Sequence, residues 1–275
     1  MRSRRVAFLA LVVGLAFSAA ALEARERGAD GRFEKRRSSH FVLYQDVDID
    51  ESSGLRGSRR FEQQVLDTLE RAYERLDRYL GLRPKRPITV VIYDPAIFDT
   101  RFASLFSFSA AGFYEGTIRI RGATQLHQPL IRVLHHEVVH AAFDAAAPSL
   151  ALPAWLGEGL AEWFEARAAG KRHLSGPEVA FLTRASQQGG LFALADLSRP
   201  SLAHLGPEHA RLAYLQSYAF VEYLARHHGE RSLREFCLEF LRTGNLRRAF
   251  TRTFRADWVR LEQGFHSELR AGARR

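Results

Sequence analysis

One cysteine, Cys237, stands in a chain of 275 residues. A lone thiol excludes an intramolecular disulfide even in an oxidising compartment, so stability must come from packing. Past the first two dozen residues no apolar run is long enough to span a bilayer. Internal repeats and long low-complexity tracts are missing, which excludes solenoid and propeller arrays. RNP-like, zinc-finger and P-loop patterns are missing too, and with them the usual sequence basis for nucleic-acid binding.

Acidic charge is scarce at the C-terminal end. The net charge is +9, and from Leu241 to Arg275 nine arginines face only Asp257, Glu262 and Glu268. That tail carries +6, so once Arg2, Arg4 and Arg5 are set aside the rest of the chain is neutral. A basic tail of this kind forms a solvated helical face or makes weak contact with an anionic membrane or envelope polymer.

The N-terminus has an arginine-rich start, an apolar run from Val6 to Leu22 and the small residues Ala19, Ala20 and Ala21. This order reads as a signal peptide over 1–21, cleaved after Ala-x-Ala or else retained as an anchor helix. The expected location is exported, periplasmic or secreted. Past the signal about 254 residues remain, enough for a domain with a real core, and of these 22–37 read as a polar linker.

Within that domain, "HFVLY" and "PITVVIYD" read as strands, the second too continuously apolar for an edge. Between them Val65, Leu69, Ala72, Leu76 and Leu80 keep helical spacing until Gly81 and Pro84 end it. "AAGFYEGTIRIRG" reads as a third strand with a turn or bulge at Phe113–Gly116. From Gln128 the period is helical, interrupted by turns at "APSLALP", "AAGKRHLSGP", "QQGG" and "SRPSLAHLGPEH". The expectation is an α+β fold, a strand-rich half over 38–122 and a helical half over 123–275.

The chemistry concentrates in "HHEVVHAAFDAAAPSLALPAWLGEGLAEW". His136, Glu137 and His140 spell H-E-x-x-H. On a helix, residues four apart lie about 40 degrees apart around the axis, so both imidazoles reach one ion and Glu137 points to its side. Neutral imidazole suits zinc, and two nitrogens leave room for a third ligand and a water. Apolar flanks imply burial, and burying two imidazoles and a carboxylate without partners costs several kcal/mol. A metal removes that cost. A second helix starting near Pro153 and Trp155 puts Glu158 and Glu162 on one face. Glu158 is placed as third ligand, Glu162 to accept the second ring N–H of His136 or His140. Glu165 reads as a solvated helix face.

These residues resemble the gluzincin zinc peptidases, and within them the peptidase MA-like proteins of bacteria. Members of that group carry H-E-x-x-H on one helix and W-x-x-E-G-x-A-E on the next, matched here by Trp155, Glu158, Gly159, Ala161 and Glu162. The resemblance implies a peptide or protein substrate and an edge strand lining the cleft, which "AAGFYEGTIRI" resembles. It also implies a transition-state tyrosine on the helix "YLQSYAFVEYL", with Tyr214 fitting best and Tyr218 in reserve. The aminopeptidase branch grips a free amine with Gly-x-Met-Glu-Asn. This chain has "AGFYEG" instead, and a gap of 17 residues between His140 and Glu158. Only Glu115 is offered for that grip, so an aminopeptidase is not implied.

The mechanism this inventory predicts has one zinc ion on His136, His140 and Glu158, with Glu137 as general base and Tyr214 as oxyanion donor. Two rivals belong to other classes. One is a zinc-bearing peptide or cell-envelope binding protein without catalysis, against which an intact Glu137 argues. The other is an envelope interaction protein with a structural metal, which would call for four protein ligands where only three are evident.

Overall fold

A computed structural model of the chain describes residues 33–47, 49, 57–106 and 110–272. The signal-peptide reading over 1–21 and most of the linker reading therefore lie outside the described residues. Among the described residues, no helix is long and apolar enough to cross a membrane.

The fold is α+β, with a five-stranded sheet in the N-terminal part and nine helices among the described residues. Strands β1 (Glu34–Arg37) and β2 (Phe41–Gln45) pair antiparallel. Helix α1 (Gly57–Leu80) then crosses over to β3 (Ile88–Tyr93), which lies parallel to β2. Helix α2 (Pro95–Phe102) leads to the hairpin of β4 (Gly112–Tyr114) and β5 (Ile118–Arg121). The sheet order is β1-β2-β3-β5-β4, so the continuously apolar β3 takes the centre and β4 an edge.

Two expectations change here. Residues 34–37, read as linker, form the opposite edge strand, which is polar enough to hide its period because an edge faces water. "AAGFYEGTIRI" is a tight hairpin of two short strands turning at Glu115–Thr117, where Glu115 N–H bonds back to the Thr117 carbonyl at 3.2 Å.

Alternation along β3 divides the apolar side chains between the two faces of the sheet. Val90 and Ile92 join Phe41, Leu43, Ile118 and Ile120 in the main core under the helices. Val91 and Tyr93 point the other way, onto Phe98 and Phe102 of α2. The α1 stripe Val65, Leu69, Ala72, Leu76 and Leu80 is fully buried in the main core. Gly81 ends that helix at φ +73°, a left-handed conformation that a side chain rarely adopts.

The helical half comprises α3 (Gln128–Ala146), α4 (Ala154–Ala168), α5 (Gly176–Gln187), α6 (Pro207–His228), α7 (Glu230–Thr243), α8 (Leu246–Phe254) and α9 (Trp258–Gly272). Helix α3 rests on α1 and on the β4–β5 hairpin, α4 packs on α3, and α6 on α4. Gly159 is what lets α4 and α6 touch. A Cβ there would stand 2.6 Å from the Ser217 carbonyl oxygen, inside any van der Waals contact. Trp155 packs on Phe220 and Trp163 donates to Glu222 across that interface, while Phe164 faces Tyr79 and His135 on the other side of α4; with Leu156 and Leu160 all are fully buried. Because α4 is clamped on both sides, its carboxylates are fixed against α3.

Candidate active site

Helix α3 begins with a side-chain cap: the His127 ring accepts from the Leu130 N–H at 3.2 Å, and Pro129 occupies the first turn. Its buried face carries Leu130, Leu134, Val138 and Ala142 into the core. The neighbouring face presents His136 and His140 to α4, their ring centroids 5.1 Å apart.

Glu158 of α4 meets both. Its Oε2 lies 3.2 Å from His136 Nε2 and 3.5 Å from His140 Nε2, and one ligand atom from each of the three falls within 4.8 Å of the others. Donors bound at about 2.0–2.2 Å to a tetrahedral ion lie about 3.3–3.6 Å from one another, so the spacing and the N, N, O chemistry both fit zinc. The electrostatics agree. Burial alone would lower the His136 pKa, yet the carboxylates of Glu158 and Glu165 hold it well above the usual imidazole value. Burial alone would raise Glu158, yet the two imidazoles pull it far below the carboxylate range. The carboxylates and imidazoles of the cluster thus stabilise one another's charged forms.

Glu137 is buried, and burial pushes its carboxyl above the ordinary carboxylate value. It lines the same cleft as the cluster and has no hydrogen bond or ion pair among the described residues.

Glu165 does not lie on a solvated face. It is 6% exposed, its Oε2 is 3.7 Å from His136 Nδ1, and Arg132 of α3 donates to its Oε1. Of the two carboxylates, Glu165 rather than Glu162, to which the sequence assigns that ring contact, forms an ion pair with a His136 ring nitrogen. Seven residues separate Glu165 from Glu158, two helical turns, which brings it back to the α3 side. Glu162 also lies within 4.8 Å of the other members of a His136, Glu162 and Glu165 group. Burial raises its carboxyl to about 6. The local signal for Glu165 was Arg132, four residues before His136, a cation on a helix otherwise apolar at that end.

Tyr214 and Tyr218 both line the cleft from α6. Burial raises the Tyr214 phenol, followed by the charges of Glu158, Glu137 and Glu162, and Glu158 also hydrogen-bonds to it. Burial raises Tyr218 as well, but Glu222 comes next, and Lys171 Nζ sits 5.0 Å over its ring. The structure thus brings Tyr214 to the His136–His140–Glu158 group and sets Tyr218 farther along the wall. Glu115 reaches the rim, mostly exposed, at 3.6 Å from Arg119.

The cleft encloses about 1210 Å³. Edge strand β4 and Phe106 form one wall, α3 and α4 the floor, and α6 with Leu150–Pro153 the other wall. A peptidase needs such an arrangement, a groove long enough for extended chain with convergent polar groups at its floor.

A family model described as the peptidase MA superfamily matches residues 68–271. The chain belongs to that superfamily of metal-dependent peptidases. No curated protein matches it significantly.

Proposed function

We propose that this chain is an exported zinc metallopeptidase that hydrolyses peptide bonds in the β4–α3 cleft. The observation that carries the reading is one carboxylate oxygen of Glu158 facing the Nε2 atoms of both His136 and His140, beside a buried Glu137 that has no hydrogen-bond or ion-pair partner among the described residues. His136, His140 and Glu158 would hold the ion. When bound, zinc supplies Lewis acidity and lowers the pKa of a water to about 7.

The chain's own residues do the rest. Glu137 takes the proton of the attacking water and returns it to the leaving amine. Burial, which raises the carboxyl above its ordinary value, makes it a stronger acceptor for the water's proton. Tyr214, its phenol kept protonated by burial and by nearby carboxylates, donates to the oxygen that gains charge. Glu165 and Arg132 fix the His136 ring so that Nε2 faces the cluster. Export would place the basic C-terminal helices beside an anionic membrane or envelope polymer.

The test is peptide-library turnover by the purified chain, with metal content measured in parallel. Chelator-sensitive cleavage with about one zinc per chain is expected. A chain that cuts as well after chelation, or that holds zinc equally in His140→Ala and Glu158→Ala, overturns the reading.

A further inference from the structure

We propose that Arg211 is a docking point for a carboxylate of the substrate. The inference rests on reading the cleft as the substrate groove. Three cationic side chains line that groove among the described residues: Arg132, Lys171 and Arg211. Two are committed. Arg132 is bonded to Glu165, and Lys171 Nζ donates to both carboxylate oxygens of Glu178 at 2.7 Å. Arg211 has no carboxylate partner among the described residues, and its guanidinium lies 4.9 Å from the ring centroid of Phe181 on α5. An aromatic face holds a guanidinium in place and leaves its N–H edge free for a planar anion.

The position fits an anion on a bound peptide. Arg211, Tyr214, Leu215 and Tyr218 share one face of α6 and all line the cleft. Three residues of helix rise about 4.5 Å, between one and two residues of extended chain. A carboxylate on Arg211 therefore lies within roughly two residues of the carbonyl that Tyr214 would serve. Nearer the metal ligands a second carboxylate would meet Glu137, Glu158, Glu162 and Glu165, all of one sign. Arg211 is where the groove compensates a negative charge.

Two sources share that chemistry, a C-terminal α-carboxylate and an aspartate or glutamate side chain. Binding of labelled peptides to the zinc-loaded Glu137→Gln protein separates them without relying on turnover. One matched pair differs only in a free or amidated C-terminus, the other only in Glu or Gln at an internal position. The readout is the affinity ratio within each pair. One pair is expected to favour the anionic member about tenfold, less at high salt. Arg211→Ala should bring that ratio close to one, and Arg211→Lys, which keeps the charge but not the fork, should leave it in between. A response in the first pair identifies C-terminal recognition, in the second an acidic side chain. A ratio near one in both pairs with Arg211 intact overturns the proposal, as does a ratio that survives Arg211→Ala. Failure of the peptidase reading has a different signature: the wild-type chain cuts none of the peptides while the Arg211-dependent ratio persists.

Discussion

Helix α4 carries two clusters of buried charge, little more than two turns apart, and they are built on opposite plans. At its far end Arg167 donates to Glu222 at 2.8 Å and to Glu230 at 2.7 Å, while the Trp163 indole N–H donates to the same Glu222 oxygen at 3.1 Å. Arg167 also reaches the carbonyls of Lys171 and Arg172 and so ties down the rim that bears Lys171. This cluster contains its own counter-charge. In the cleft, by contrast, Glu137, Glu158, Glu162 and Glu165 gather round two imidazoles with a single arginine at the edge. A group in which carboxylates outnumber cationic side chains has the composition of a cation-binding centre, whereas a balanced group serves the fold.

The largest expected effect breaks the cleft cluster chemically and leaves its shape. Glu137→Gln should retain about one zinc and lose roughly 10² to 10⁴ in turnover, read by peptide cleavage against metal content. His140→Ala and Glu158→Ala should lose both together. A Glu137→Gln protein with full activity would end the general-base role.

The matching disruption of the balanced cluster is Glu222→Ala. It leaves the buried Arg167 without its main partner, and breaking a buried pair this way costs about 3–5 kcal/mol. Thermal or denaturant unfolding should register the loss, while the fraction still folded binds zinc as before. If metal affinity falls and stability holds, the two clusters are not separable as described. Tyr214→Phe comes next, with about 10² to 10³ in turnover and no change in zinc content or stability. Equal loss in Tyr218→Phe would move the oxyanion role along α6.

What could be read without coordinates followed the strength of the periodic signal. The α1 stripe, the central β3 and the H-E-x-x-H helix each repeat apolar residues often enough to fix both element and face. Strand β1, "EKRR", has no apolar period because an edge strand needs none. The β4–β5 hairpin looked like one strand because each arm is only three or four residues long. The three proposed ligands converge because helical spacing alone places His136 with His140, and clamping of α4 by α3 and α6 supplies Glu158. Spacing could not decide between Glu162 and Glu165. Both lie within reach of the α3 side of the helix, and the choice depends on Arg132, whose position relative to α4 is a tertiary fact.

That choice gives the smallest effect and the sharpest test of the comparison. Glu165 Oε2 faces His136 Nδ1 at 3.7 Å and is itself held by Arg132, so it is placed to orient the ring that is proposed to bind zinc. Glu165→Gln keeps the size of the side chain but weakens acceptance from the ring N–H and from the guanidinium. Zinc affinity, measured by competition with a chelator of known strength, should fall about 10- to 100-fold with the fold intact. Glu162→Gln should cost less, because among the described residues no ion pair ties Glu162 to either histidine, whereas Glu165 Oε2 lies 3.7 Å from His136 Nδ1. Arg132→Ala should reproduce part of the Glu165→Gln loss, since it frees the carboxylate without removing it. Were Glu162→Gln the more damaging of the two, the ring would be held from the adjacent turn of α4. The Arg132–Glu165 pair would then belong with Arg167 and Glu222 as scaffold.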